Sequence, residues 1–145
     1  MSVAHEVAWA AGFFDGEGYV TIQYGYTKSP NGKRYHRHTL RIGINHVAPG
    51  PLYEMQRLFG GSIEKQKIES VHGNRHPRHR WVLNCNNAAE ALKRMMPYFK
   101  NKTQVAELGL ELQRTMQENK QQVSEETFLY RAMLKEKITH LNSLD

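Results

Sequence analysis

Cysteine is nearly absent: Cys85 is the only one in 145 residues. A disulfide framework within the chain is excluded, and a reducing, intracellular setting is expected. Long apolar runs are missing too. The apolar stretch Val7 to Phe14 has no basic region before it, and Asp15 and Glu17 follow at once. That pattern fits neither a signal peptide nor a membrane span, so no membrane partner is expected. Acid is absent from residues 21 to 53, which carry Lys28, Lys33, Arg34, Arg37 and Arg41.

What is present then matters more. Hydrophobic residues make up 39% of the chain, enough for a core, and the length suits one domain over 1–145. Residues 60 to 102 add nine Lys and Arg against three glutamates, and the last forty residues lean acidic. The formal net charge is +6. A basic middle with a near-neutral tail implies one charged face, suited to a polyanion such as nucleic acid.

Periodicity divides the chain into helix, hairpin, helix, hairpin and helices. Val3 to Phe14 reads as a helix on which Ala4, Ala8, Ala11 and Gly12 share a face almost free of bulk, while Val7, Ala10, Phe13 and Phe14 turn to a core. Two glycines in Asp15-Gly16-Glu17-Gly18 mark its end. Tyr19 to Thr27 alternates as a strand, Lys28 to Lys33 is a turn, and Tyr35 to His46 is the partner strand. Pro49-Gly50-Pro51 opens a short helix, Leu52 to Phe59. Ser62 to Ser70 and Arg78 to Cys85 form a second hairpin. A helix capped by Asn86 or Asn87 runs to about Phe99, bent by Pro97. Helices from Thr103 to about Glu118, and from the Ser124 cap to about Leu141, complete an α+β fold. Both hairpins join one antiparallel sheet, covered by helices on one face and polar and basic on the other. Such a face suits the DNA major groove.

The segment Ala10-Ala11-Gly12-Phe13-Phe14-Asp15-Gly16-Glu17-Gly18 resembles the LAGLIDADG signature. Ala10 stands where leucine is usual, and Glu17 is a common variant of the second acid. The chain is most similar to the single-motif homing endonucleases of that family, over nearly its whole length, thinning after about Gly109. The resemblance implies an αββαββα fold whose curved sheet forms a DNA-binding saddle, with C-terminal helices from about 103. It implies a homodimer that makes a double-strand break in a long, near-palindromic target during intron homing, using Mg2+, for which Mn2+ can substitute. Family members that have lost cleavage, acting as repressors or as maturases on an intron RNA, are the alternative.

Residue chemistry agrees with that reading. Phosphodiester hydrolysis calls for a hard divalent ion on carboxylate oxygen. Glu17 lies at the helix end beside the small-residue face, so two packed helices would bring two such carboxylates together, each with a Gly16 carbonyl. The dimer interface is expected to hold Ala4, Ala8, Ala11, Gly12 and Asp15, and the resemblance gives Asp15 a supporting role at the turn. One motif without an internal repeat means that cutting both strands takes two chains.

By the same resemblance, Pro97-Tyr98-Phe99-Lys100-Asn101-Lys102 matches the segment that carries the active-site lysine, here Lys102, with Lys100 as an alternative phosphate clamp. His46 corresponds to a water-positioning polar residue, with Asn45 as the competing choice.

Strand parity gives the DNA contacts. They are Thr21, Gln23 and Thr27; Arg41 and Gly43, with Arg37 or His38 nearer the tip; and Glu64, Gln66, Arg80 and Val82. A slip of one residue in the second hairpin would substitute Lys65 and Lys67. Loop residues Lys28, Lys33, Arg34 and Arg78 are expected on phosphates. His72, His76 and His79 have a spacing that zinc accepts, but they lack paired cysteines, so a DNA-facing loop is the better reading. An RNA-binding sheet would need an aromatic cluster on its open face, and none is evident.

Overall fold

The structure is a computed structural model that describes residues 2–66, 78–118 and 123–144. Helix α1, Val3–Glu17, starts from Ser2, whose hydroxyl accepts the His5 N–H at 3.3 Å. It runs three residues beyond the expected Phe14, because nothing in Asp15-Gly16-Glu17 breaks it. The stop is Gly18, whose N–H still bonds to the Phe14 carbonyl. Its φ of −85° is open to any residue. Glycine is needed there for space: a Cβ would come within 2.5 Å of the Phe14 ring.

Strand β1, Gly18–Lys28, pairs antiparallel with β2, Arg34–His46, in a register that sets Thr21 opposite Arg41. Gly32, at φ +85°, makes the turn between them. Helix α2, Gly50–Phe59, has proline in its first turn and ends at Gly60 and Gly61, both at positive φ. Strands β3, Ser62–Lys65, and β4, His79–Asn84, form the second hairpin. The expected extension of β3 to Ser70, and its connection, fall on residues 67–77, outside those described. The four strands lie in the order β1-β2-β4-β3, so the two hairpins join through β2 and β4.

Helix α3, Cys85–Met95, begins one or two residues before the caps expected at Asn86 or Asn87. Cys85 therefore opens the helix and does not end a strand, and Asn84 is the N-cap. A 3-10 turn, Met96–Tyr98, absorbs Pro97. Helices α4, Thr103–Glu118, and α5, Glu125–Ser143, follow, with the Ser124 hydroxyl capping α5 as expected.

The core lies between the sheet and the helices. Val20, Ile22, Leu40, Ile42, Ile44, Trp81 and Leu83 project from the strands onto Phe14, Leu52, Leu92, Met95, Leu112 and Ile138. Trp81 keeps its indole N–H satisfied by donating to the Gly60 carbonyl at 2.8 Å. Ala11, expected on the exposed small-residue face of α1, is fully buried in this core beside Ala10. The reason is angular. Positions 4, 8 and 12 drift little around the helix, whereas 11 lies with 7, 10 and 14 on the core side.

Candidate nucleic-acid interface and acidic centre

The side chains that alternate away from the core form the open face. The registers put Thr21, Gln23, Thr27, Arg37 and Arg41 there from the first hairpin, and Glu64, Arg80 and Val82 from the second. Parity thus holds as expected, and the slip to Lys65 does not occur: Glu64, not Lys65, faces Arg80. Gln66 follows β3, its N–H bonded to the Arg78 carbonyl.

Three expected contacts are corrected. His38 has the helix-side parity. It is 5% exposed and packs against Tyr24 and Phe128, so it cannot reach DNA from the open face. Arg37 is the residue of that pair on the open side. Val82 has the right parity but is also 5% exposed. Gly43 is covered by Tyr19, its direct cross-strand partner, since a Cβ on Gly43 would meet the Tyr19 hydroxyl. Tyr19 is thus an open-face residue that sequence reasoning missed. The available signal was its parity with Thr21. Its phenol pKa is raised, first by burial and less by Glu64, against the lowering influence of Arg80 and Arg41. The tyrosine therefore stays a neutral hydroxyl donor and acceptor among charged neighbours.

Two arginines on this face are held by asparagines. Arg41 donates from Nε to Asn84 Oδ1 at 3.0 Å, and Arg80 from Nε to Asn45 Oδ1 at 3.1 Å. With the Gln66 amide oriented by its surroundings, its oxygen also accepts from Arg80. At the hairpin tip Lys28, Lys33 and Arg34 are exposed, and the Arg34 guanidinium lies 4.9 Å over the Tyr26 ring on the helix side. Arg78 is exposed just before β4.

The acidic centre sits where α1 meets β1. Glu17 and Gly16 are exposed, and no heavy atom lies within 4 Å of where a Gly16 Cβ would be. Asp15 points inward along the chain. Its carboxylate accepts the backbone N–H groups of Lys100 at 2.8 Å, Asn101 at 3.0 Å and Lys102 at 2.8 Å. The Asn101 side-chain amide also donates, to the Asp15 backbone carbonyl at 3.4 Å. These amides lead into α4, whose N-terminus a carboxylate stabilises. The Asp15 carboxylate is thereby engaged within its own chain.

The consequence is positional. Asp15 stitches the Lys100–Lys102 segment to the last turn of α1, two residues from Glu17. Lys102 is 9% exposed, and Lys100 is exposed. The ion pairs of the described residues involve neither Lys102 nor Glu17. The glutamate and the lysine are thus left available for chemistry. Among the described residues no three His, Cys, Asp or Glu side chains cluster as a metal cage. One chain offers one carboxylate and one carbonyl at this turn, an all-oxygen set that fits a hard divalent cation completed by other oxygens.

His46 ends β2 with helix-side parity. Its Nδ1 lies 3.0 Å from the Ala48 carbonyl and 3.1 Å from the Ala48 nitrogen, and its ring meets Phe13 edge-on at 5.5 Å. Phe13 is one turn before Glu17, so His46 stands beside the same end of α1. Asn45, the competing choice, faces the open side and is engaged by Arg80. His79, of the three loop histidines, pairs with His46 in register, while His72 and His76 lie outside the described residues.

Comparison with known proteins fits this geometry. No curated protein sequence matches the chain significantly. Among solved structures, the homing endonuclease I-CvuI in complex with the I-CreI target superimposes with a TM-score of 0.75 at 19% identity, over 94% of this chain and 83% of that one. The archaeal intron-encoded homing endonuclease I-Vdi141I, complexed with DNA, gives 0.74 at 12% identity, over 94% and 84%. The meganuclease I-SmaMI gives 0.66 at 20% identity, over 89% of this chain but 43% of its own. The LAGLIDADG endonuclease family profile matches residues 10–114, from the signature through both hairpins and into α4, and the chain belongs to that family.

Proposed function

We propose that the chain works as a homodimer that cuts both strands of a long, near-palindromic DNA site with Mg2+, and that Glu17 is the centre of each active site. Site-specific DNA endonuclease activity comes with family membership. The single observation that carries the finer reading is the junction of α1, β1 and α4, which leaves Glu17 exposed and unpaired two residues from Asp15, the acid that anchors the Lys102 backbone.

A divalent cation bound there would neutralise phosphate charge and activate water. Glu17 and the Gly16 carbonyl would hold it. I-CvuI has been crystallised on DNA with 2 mM Mg, leaving the DNA uncut, and with 2 mM Ca, which supports a divalent site here. Lys102 supplies fixed positive charge for the developing phosphate, and Lys100 a phosphate contact. His46 is the residue that would orient water. Exposed Ala4 and Gly12, with half-buried Ala8 between them, leave α1 with a flat stripe on which a second α1 can close. That I-SmaMI is more than twice as long for one match supports a need for two such units.

The test is cleavage of a pool of near-palindromic DNA sites with Mg2+ or Ca2+, by the wild type and by Glu17→Gln. Double-strand breaks at one sequence with Mg2+, reduced by about a hundredfold or more in Glu17→Gln, are expected. Tight binding to a selected site without cutting under either metal would instead make the chain a binding module, and Lys102 and His46 would lose these roles.

A further inference from the structure

Asn84 occupies the residue before α3, where asparagine ordinarily turns back to cap the free amides of the helix. Its backbone is right for this, at φ −128° and ψ 156°, yet its side chain makes no capping hydrogen bond. The carboxamide lies on the open face, and Oδ1 accepts from Arg41 Nε. The two residues are directly paired across β2 and β4. The next residue, Cys85, sits at φ +55°, a left-handed conformation that a residue with a side chain rarely adopts. An uncapped helix end and a strained backbone thus meet at the one junction where Asn84 turns outward. Strain held in place by its surroundings is a pointer to function.

The bond to Asn84 has a specific effect on Arg41. A guanidinium carries five N–H donors, and Asn84 takes the one on Nε. The fork of the two Nη groups remains, and that fork matches O6 and N7 of guanine in the major groove. Arg80 differs: its Nε is bound by Asn45, and the Gln66 oxygen also faces its Nη2. Arg41 pairs with Thr21, four residues past Glu17, while the hairpin runs on to Lys28. Its fork therefore belongs to the inner part of a half-site.

We propose that Arg41 reads a guanine in the inner part of each half-site, and that Asn84 is the positioning residue that holds its fork ready. This rests on the DNA-endonuclease reading above. An arginine already fixed at Nε loses less freedom on binding, so its hydrogen bonds are spent on discriminating the base. The outward turn of Asn84, at the cost of the cap, is the observation this accounts for.

Selection of binding sites from random-sequence double-stranded DNA tests it, using the wild type, Arg41→Ala, Asn84→Ser and Asn84→Asp, with thermal melts alongside. The wild type is expected to prefer guanine by about tenfold or more at one inner position of each half-site. Arg41→Ala should lose that preference and keep the rest of the profile. Asn84→Ser supplies a hydroxyl able to cap α3 but too short to hold Arg41. It should weaken the guanine preference at the same position while the melting temperature holds or rises. Asn84→Asp keeps the acceptor and should keep the preference. An Arg41→Ala profile unchanged at every position overturns the assignment, and an unchanged Asn84→Ser profile removes the positioning role of Asn84. A wild type that selects no site at all would remove the endonuclease reading itself, a distinct result that takes this inference with it.

Discussion

Two acids two residues apart in the signature have been given opposite work. Glu17 is solvent-facing and unpaired, whereas Asp15 accepts three backbone amides of the segment that carries Lys102. Hydrogen bonds to a charged group contribute about 1.5–3 kcal/mol each before neighbours compensate. Asp15→Ala is therefore expected to lower stability by about 1–3 kcal/mol. It should also slow single-turnover cleavage by tenfold or more while DNA affinity stays close to the wild type, because Lys102 loses its anchor and the sheet face does not. Thermal melts and single-turnover kinetics check this, and wild-type cleavage in a destabilised Asp15→Ala would sink the anchoring role. From sequence the two acids are the same motif. The resemblance separated their roles in outline, but only the fold shows that the partner of Asp15 lies 85 residues away.

The elements were legible wherever a period or a cap was strong. Alternation in β1 and β2 fixed which of their residues share a face, and Ser124 marked the start of α5. His38 was misplaced because Arg37 and His38 were left as alternatives, although the alternation that buries Leu40, Ile42 and Ile44 puts His38 on their side and Arg37 on the other. The start of α3 was missed because Asn84 forgoes its cap and Cys85 takes a conformation that no pattern announces. Burial of His38 has its own consequence for the packing of α5 on the first hairpin. Tyr24 and His36 face it from β1 and β2, and Phe128, Arg131 and Lys135 from α5. Its pKa is lowered from 6.5, first by burial and then by the charges of Arg131, Lys135 and His36. The unfolded chain thus takes up this proton more readily than the folded one. His38 contributes fully above about pH 6.5, and that contribution is lost as pH falls towards its lower folded value. His38→Phe, which keeps a ring against Tyr24 and Phe128, should flatten the fall in melting temperature between neutral pH and about 5.5. An equally steep fall in the variant would assign that acid sensitivity to other groups.

At the scale of the whole molecule, the proposed cutting of two strands with one Glu17 per chain calls for two chains. The surface of α1 is suited to this in steric terms. Ala4, Ala8 and Gly12 leave its outer face without bulk, and an added Cβ at Gly12 would meet nothing within 4 Å. Glu17 ends the same helix, so a second α1 laid along the stripe brings two Glu17 residues to the middle of one DNA-binding surface. Gly12→Leu is the discriminating change. It adds a large side chain where the single chain has open space, so the fold and its melting behaviour should survive. Two backbones could no longer approach, however, so light scattering at micromolar concentration should report a dimer for the wild type and a monomer for the variant. Double-strand cleavage should fall with the dimer, since each half-site then meets one active site at a time. A wild type that is monomeric both free and on its DNA, or a Gly12→Leu variant that still dimerises and cuts, would move the interface away from α1 and with it the pairing of the two glutamates.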